Sequence, residues 1–236
     1  MNTYLLIHGA WHGAWCWDKV TPILEQQGHK VIAPNLPGHG EDNTPLKEVT
    51  LKCYTDCVCE IMDSIEEPVI LVGHSMGGII ISQVAEYRPE KIKSLIYISA
   101  FVLKNEEAML PFLRQDSESL LNTNTDFKTD RNVIGVNQEE IENIFYGDCS
   151  VRDITRAKSL LKPQAFKPIR TRLAINHEDF ELIPKTYIEC IQDKAVTLTL
   201  QRKMHTEFKW DKVYSIDSSH SPFFSKAKEL ASILSK

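Results

Sequence analysis

The sequence predicts an α/β fold built on a mostly parallel sheet of six strands that is flanked by helices. Short apolar, β-branched runs recur along the chain, and amphipathic, helix-like stretches lie between them. Apolar runs without alternating polar residues are typical of parallel strands, because helices cover both faces of such a sheet. The predicted strands are residues 4–7, 30–33, 69–72, 94–98, 186–191 and 212–216.

Helical patterns fill the intervals between the first four strands and follow the last one. Each combines an apolar stripe at helical spacing with a polar face, which is the pattern of a helix packed on a sheet. The predicted helices are residues 17–27, 51–65 and 76–87, and a segment from residue 224 to the C-terminus.

The interval between the fourth and fifth strands is far longer than a crossover connection needs. Residues 101–184 are therefore predicted to form an inserted helical cap within a single domain that spans residues 1–236. Three stretches of this cap favour short helices, and its polar stretch at 122–130 favours a loop. The helical stretches are residues 106–114, 138–146 and 151–161.

Composition narrows the class of protein. Of the 236 residues, 42% are hydrophobic and 25% are charged, as in an ordinary globular enzyme. The net charge of -5, with no dense Lys/Arg block, argues against nucleic acid as a partner. No apolar run approaches the ~20 residues of a membrane-spanning helix, and no leader pattern opens the chain. We expect a cytoplasmic protein that acts on a small molecule, with a homodimer left open.

The six cysteines are predicted to be free thiols. Cys53, Cys57 and Cys59 are clustered, but their spacing matches no metal-binding pair and no second cluster would complete four ligands. Unpaired cysteine behaves as a small buried hydrophobe, so the cluster is better explained by one helix that packs small apolar side chains. The sequence therefore predicts neither a metal site nor an organic cofactor.

The strongest chemical signal is the run Gly73-His74-Ser75-Met76-Gly77-Gly78. It directly follows a predicted strand and directly precedes a predicted helix. A serine on such a tight strand-to-helix turn projects its hydroxyl from the carboxyl edge of the sheet, and a helix N-terminus favours developing negative charge there. Ser75 is therefore the predicted nucleophile, rather than an ordinary helix cap.

A second signal, His8-Gly9-Ala10, ends the first predicted strand. A turn at this place brings a backbone N–H beside the nucleophile, where it can stabilise the negative oxygen of an acyl-transfer transition state. The N–H groups of Ala10 and Met76 are the predicted oxyanion hole.

A serine hydroxyl is a weak nucleophile near neutral pH, so a base must take its proton. In a fold with this serine turn the acid and the histidine follow the serine along the chain, which leaves His177, His205 and His220. His177 lies in the predicted cap and His205 in a helix-like stretch. His220 follows the last strand at the sheet edge where the serine emerges, so it is the predicted base.

The carboxylate that orients the histidine is expected just after the preceding strand. Asp193 holds that position and would accept the second imidazole N–H. Glu189, Asp211 and Asp217 are competing acids, and Asp193 could also be an ordinary turn aspartate.

Aromatic residues follow the predicted oxyanion turn. Trp11 is nearest to the turn and is the predicted pocket residue, whereas core packing suits Trp15 and Trp17 at least as well. Gly9 and His74 are also predicted to contact the substrate. Further candidates for the pocket wall, several of which core packing would explain equally well, are Phe101, Met109, Leu110, Phe112, Phe127, Phe145 and Phe223.

Several longer runs resemble the plant methylesterase and hydroxynitrile lyase family of α/β-hydrolases. These runs are Ile-His-Gly-Ala-Trp-His-Gly-Ala-Trp-Cys-Trp at 7–17, Leu-Pro-Gly-His-Gly at 36–40, Gly-His-Ser-Met-Gly-Gly at 73–78, Phe-Tyr-Gly-Asp-Cys-Ser at 145–150, Tyr-Ile-Glu-Cys-Ile-Gln-Asp-Lys at 187–194 and His-Ser-Pro-Phe-Phe-Ser at 220–225. The resemblance implies an α/β-hydrolase fold, a Ser75–Asp193–His220 triad, an oxyanion hole at Ala10 and Met76, and a helical cap over a small apolar pocket.

The resemblance leaves two reactions open, because the family contains both ester hydrolases and lyases that cleave cyanohydrins. The lyase branch carries a threonine in the oxyanion turn and a lysine after the catalytic histidine, where this chain has Gly9 and Ser221. The sequence therefore favours a serine carboxylesterase that cleaves a small, largely apolar ester, such as a methyl ester. The alternatives are a hydroxynitrile lyase-type enzyme and a hydrolase-fold protein that only binds a ligand.

Overall fold

The computed structural model describes residues 1–127, 132–175 and 177–236, with the side chains of Phe127, His177 and Asp179 outside that description. Six strands form one parallel sheet in the order β2-β1-β3-β4-β8-β9, which confirms the predicted strands and shows that this sheet is parallel throughout. The described strands are β1 Thr3–Ile7, β2 Lys30–Ile32, β3 Val69–His74, β4 Ile92–Ile98, β5 Thr125–Phe127, β6 Val133–Val136, β7 Gln164–Ala165, β8 Lys185–Cys190 and β9 Lys212–Ile216.

Helices lie between and after these strands, and each segment predicted to be helical contains one. Further helices form at 121–124, 166–170 and 177–182, where none was predicted. Short 3-10 segments at Ala14–Trp17 and Pro89–Lys91 supplement them. The described α-helices are α1 Thr21–Gln26, α2 Leu51–Asp63, α3 Gly77–Tyr87, α4 Met109–Gln115, α5 Leu121–Asn124, α6 Ile141–Phe145, α7 Val151–Leu160, α8 Phe166–Arg170, α9 His177–Leu182, α10 Leu198–His205, α11 Pro222–Ser225 and α12 Ala227–Leu234.

Local chemistry explains how α2 begins and which face it buries. The Thr50 side chain accepts a hydrogen bond from the Cys53 backbone N–H at 3.1 Å, so it satisfies one of the free donors of the first turn. Tyr54, Val58 and Met62 follow at intervals of four residues and are fully buried. All six cysteines of the chain are free. Among the described residues, no helix is both long enough and apolar enough to cross a bilayer.

The segment between β4 and β8 holds α4 to α9 and a second, antiparallel sheet in the order β5-β6-β7. The loop predicted at 122–130 is wrong where the structure describes it, because Leu121–Asn124 is helical and Thr125–Phe127 is a strand. The strand forms by pairing with β6, in the register Asp126 opposite Gly135. Strand pairing of this kind depends on a partner elsewhere in the chain, so a polar local sequence does not reveal it. Residues 128–130 of that predicted loop lie outside the described residues.

Glu189 on β8 is a buried carboxylate that hydrogen bonds hold in the charged form. Arg202 donates from Nε at 2.9 Å, His205 Nε2 lies at 3.0 Å, and the Ser215 hydroxyl donates at 2.7 Å. Burial alone would raise the pKa of Glu189, but the hydrogen bonds from Arg202, Ser215 and His205 outweigh it and lower the pKa to about 2. Glu189, one of the acids that compete with Asp193 for the role of orienting the histidine, therefore belongs to a structural cluster.

We predict that Glu189→Gln lowers the free energy of unfolding by about 3 kcal/mol at pH 7. A carboxylate with a depressed pKa stabilises the fold above its unfolded pKa, and this stabilisation is lost as the pH falls through the folded value. The difference between wild type and variant should therefore shrink as the pH falls below about 4.5. Urea titrations at several pH values measure it, and a difference that stays constant with pH would contradict the assignment.

Candidate active site

Ser75 lies on a sharp turn between β3 and α3. Its φ is 54°, in the left-handed region that residues other than glycine rarely adopt. The backbone holds this conformation on both sides, since the Ser75 N–H donates to Ile98 O at 3.2 Å and its carbonyl accepts from Phe101 N at 3.1 Å and Gly78 N at 3.0 Å. A strained residue that its surroundings fix in this way is typical of a functional turn.

Two glycines allow the end of β1 to approach this turn. A Cβ on Gly9 would lie 2.8 Å from the Ser75 Cβ, and a Cβ on Gly77 would lie 2.8 Å from the Ile7 carbonyl oxygen. Both distances are shorter than real Cβ contacts allow, so only glycine fits without movement of the backbone. Gly9, predicted to contact the substrate, therefore lies directly against the serine.

Asp193 and His220 meet at the carboxyl edge of the parallel sheet, in the loops that follow β8 and β9. His220 Nδ1 lies 2.6 Å from Asp193 Oδ2, and both side chains are almost completely buried. The other carboxylate oxygen accepts backbone N–H groups from Ala195 at 2.7 Å and Val196 at 2.9 Å. Since Nδ1 donates to the carboxylate, His220 Nε2 is the nitrogen that remains free to accept a proton.

His74 connects the serine turn to His220. Its Nε2 donates to the His220 carbonyl oxygen at 2.8 Å, and the two rings lie 4.5 Å apart. Because His74 directly precedes Ser75, this bond brings the serine and His220 to the same edge of the sheet. The Asp193 bond uses His220 Nδ1, so Nε2 is left for the serine or the substrate.

The structure places His74 in a supporting position, which differs from the predicted contact with substrate. The side chain is fully buried, and its ring packs edge-on against Phe223 at 5.0 Å. Burial and the nearby His220 lower the pKa of His74 well below its usual value, so the ring is neutral. A residue beside a nucleophile can point into the core as readily as into the pocket, so the contact of His74 with substrate stays a prediction.

The predicted oxyanion donors lie at the start of α3 and after β1. The backbone N–H groups of Ala10 and Met76 donate to no partner within the described residues. The peptide after Ala10 is held by His12, whose Nδ1 donates to Ala10 O at 2.8 Å while its Nε2 accepts from the Tyr146 hydroxyl at 2.7 Å. Burial lowers the pKa of His12 to about 3, so this relay stays neutral.

The structure adds residues that the sequence reasoning missed. Ser99, with a φ of 40°, donates its hydroxyl to Asp193 Oδ2, the oxygen that also faces His220. Its position directly after an apolar strand was the available signal, since polar residues there share the sheet edge with Ser75. His12 and Tyr146 were missed for another reason, because nothing in the sequence indicates that they contact each other.

The competing residues lie elsewhere or have other partners. Asp211 accepts the Lys185 backbone N–H at 2.8 Å, and Asp217 is exposed and bonded to Gln192. His205 is bonded to Glu189. The backbone of His177 begins α9, and its side chain lies outside the described residues.

An apolar cavity of about 120 Å³ adjoins the predicted oxyanion residue Ala10. Trp11 lines it as predicted, and so do Met109 and Leu110 from the wider set of wall candidates. Phe145 packs instead between Trp11 at 5.6 Å and His220 at 5.7 Å. The other described wall candidates lie in the core or at another groove, and the side chain of Phe127 lies outside the described residues. The residues that line the cavity are Ala10, Trp11, Met109, Leu110, Leu113, Arg114, Leu121, Asn122, Thr125, Ile134, Gln164 and Ile169.

Known proteins resemble this chain along nearly its whole length. Residues 4–233 match the alpha/beta hydrolase family. Methylesterase 7 of Arabidopsis thaliana is 33% identical over 98% of this chain and 94% of its own length. The pyrethroid hydrolase of Sphingobium wenxiniae is 32% identical over 96% of this chain and 84% of its own length. The chain spans 63% of the length of a longer chloroplastic relative from Arabidopsis thaliana that is described as methylesterase 11.

Solved structures resemble the whole chain. A pyrethroid hydrolase from Sphingobium faniae superposes with a TM-score of 0.89 at 29% identity, covering 99% of this chain and 96% of its own. Polyneuridine aldehyde esterase superposes with a TM-score of 0.88 at 28% identity, covering 99% and 98%. These relatives support ester hydrolysis and not the lyase alternative. The relatives at 32% and 33% identity are named as ester hydrolases, and the chain belongs to the alpha/beta hydrolase family.

Proposed function

We propose that this chain is a serine carboxylesterase that cleaves small, largely apolar esters, methyl esters among them, through an acyl-enzyme on Ser75. The buried Asp193–His220 contact of 2.6 Å, tied through His74 to the strained serine turn, carries the proposal. A base that a carboxylate orients, at the sheet edge where a turn serine lies, is the arrangement that acyl transfer requires. The names of the esterase relatives support the same reaction.

The first half-reaction forms the acyl-enzyme. The ester carbonyl carbon lies against Ser75 Oγ, and its oxygen faces the N–H groups of Ala10 and Met76. As the hydroxyl attacks, His220 Nε2 takes its proton and Asp193 stabilises the resulting imidazolium. The two backbone N–H groups stabilise the negative oxygen of the tetrahedral intermediate. His220 then gives the proton to the departing alcohol, and the acyl group stays on Ser75.

The second half-reaction releases the acid. His220 takes a proton from a water molecule, which attacks the acyl carbonyl, and the same oxyanion donors stabilise the second tetrahedral intermediate. Collapse of that intermediate returns the proton to Ser75 Oγ. One base therefore serves both steps. We assign residues 101–184 as the cap of this single domain, because several of them line the cavity beside Ala10.

Ser99 is a positioning residue in this mechanism. Its hydroxyl bonds the carboxylate oxygen that orients His220, and its N–H donates at 2.8 Å to the carbonyl oxygen of Ile188, which lies on β8, the strand that leads to Asp193. The same segment holds the nucleophile, since Ile98 O and Phe101 N bond the two ends of Ser75. One stretch of four residues therefore fixes Ser75 and Asp193 relative to each other.

Ser75→Ala should lower kcat/KM for p-nitrophenyl acetate by at least about 10³-fold, because the remaining groups cannot form the acyl-enzyme. A fluorophosphonate probe should label the wild type at Ser75 and leave the variant unlabelled. Ser82→Ala is the matched control, because it changes a second buried serine, which lies on α3, and it should still be labelled. Hydrolysis at the wild-type rate by Ser75→Ala would sink the proposal. Wild type that is neither active nor labelled would favour a ligand-binding role.

Ser99→Ala should lower kcat about tenfold with little change in KM, because a hydrogen bond to a charged group is lost beside His220 while the pocket is unchanged. Steady-state kinetics separate the two constants. Ser215→Ala is the matched control, since it removes an equivalent serine bond to the Glu189 carboxylate away from the site. An equal loss of kcat in both variants would mean that Ser99 acts only through stability.

Gly9→Ala should lower kcat/KM about 100-fold, because its Cβ would displace the serine turn. Gly147→Ala is the control, since a Cβ at Gly147 meets nothing within 4 Å. The rate of fluorophosphonate labelling reports the position of the nucleophile directly. Wild-type labelling of Gly9→Ala would contradict the close approach of β1 to Ser75.

A further inference from the structure

Trp11 lies between two hollows of the protein. One is the apolar cavity of about 120 Å³ next to Ala10, which is named the inner cavity below. The other is a groove of about 400 Å³, named the outer groove, and Trp11 lines both. The residues that line the outer groove are Trp11, Asp126, Gly135, Val136, Asn137, Gln138, Ile141, Leu161, Lys162 and Pro163.

The inner cavity is closed at one end and open at the other. Arg114 and Asn122 are exposed and lie at its mouth. Leu110, Leu113 and Thr125 are half-buried. The rest of the cavity is lined by side chains that are 7% exposed or less, and all but Gln164 of these are apolar. These are Ala10, Trp11, Met109, Leu121, Ile134, Gln164 and Ile169. An acyl group whose carbonyl faces Ala10 would therefore extend into a short, largely apolar pocket.

Strand β6 supplies the rest of the wall between the two hollows. Ile134 lines the inner cavity, whereas Gly135 and Val136 line the outer groove. The Trp11 indole is fixed to this strand, because its Nε1 donates to Ile134 O at 3.0 Å. Trp11 and β6 therefore both border the two hollows and bond to each other.

The backbone of Trp11 is also held in place. Its φ is 62°, in the left-handed region that disfavours a large side chain, and its carbonyl accepts from Lys162 N at 3.0 Å. A strained conformation persists where the surrounding structure fixes it, and such residues cluster at ligand sites. The indole is therefore a fixed wall.

We propose that Trp11 sets the longest acyl chain that the enzyme accepts, by closing the inner cavity against the outer groove. The proposal rests on the proposed function, because it places the acyl group beside the Ala10 N–H. An apolar cavity of about 150 Å³ holds benzene, so the inner cavity takes an unbranched acyl chain of about four to six carbons. The substrate class is therefore esters of short, apolar acids.

The test uses p-nitrophenyl esters with acyl chains of two to twelve carbons, which share one leaving group. For wild type, kcat/KM should be highest near four to six carbons and fall at least about tenfold by eight, since one misfit methylene in a closed pocket already costs about tenfold or more. Trp11→Gly removes the indole and suits the left-handed φ. It should raise the ratio of kcat/KM for the eight-carbon ester to kcat/KM for the four-carbon ester at least about tenfold.

Two further variants keep the test decisive. Trp11→Leu removes less of the wall between the two hollows, should fold even where Trp11→Gly does not, and should shift the length profile in the same direction. Met109→Ala is the matched control, because it enlarges the inner cavity from a wall that does not border the outer groove. It should extend the accepted chain by no more than about two carbons.

The outcomes separate this proposal from the function on which it rests. Hydrolysis that does not depend on Ser75, or none by wild type across the series, overturns both. Ser75-dependent hydrolysis with a wild-type length profile in Trp11→Gly and Trp11→Leu overturns only the role of Trp11. A shift in Met109→Ala as large as that in Trp11→Gly also overturns it, because cavity volume and not the wall between the two hollows would then limit the chain.

Discussion

The Asp193 carboxylate receives hydrogen bonds from four donors, and these donors come from three different parts of the chain. Ser99 follows β4, His220 follows β9, and the N–H groups of Ala195 and Val196 belong to the turn after β8. A buried carboxylate without such partners would be costly, so this cluster forms only when the three strands lie side by side in register. The same contact orients His220. The hydrogen bonds that stabilise this edge of the sheet are therefore also the ones that orient the imidazole of His220.

The parallel sheet could be predicted because its signal is local and repeated. Runs such as residues 69–72 are apolar without interruption, and each is followed by polar residues at the edge where the carboxyl ends of parallel strands gather. Ser75, Asp193 and His220 were found by the same logic, from their places after β3, β8 and β9. The structure brings Asp193 and His220 into contact, and His74, the neighbour of Ser75, bonds the His220 carbonyl oxygen.

The rest depended on contacts between distant residues. Strand β5 exists because it pairs with β6, and the polar sequence around Asp126 shows no sign of it. His74 was placed at the substrate, but its ring turns into the core and donates to His220 O, a direction that a position beside a nucleophile does not fix. The Tyr146–His12 bond joins residues that are 134 positions apart. Contacts between residues so far apart in the chain become visible only in the folded structure.

Four buried imidazoles, those of His8, His12, His39 and His74, surround the serine turn and the end of β1. Burial lowers the pKa of each, to about 3 for His12 and about 4 for His39. None of these rings gains a proton between about pH 5 and 8, where an ordinary histidine titrates. They therefore act as polar but chargeless spacers, which add no charge beside the serine turn as the medium acidifies mildly. The serine turn is in this way surrounded by hydrogen-bonding rings that need no counter-ion.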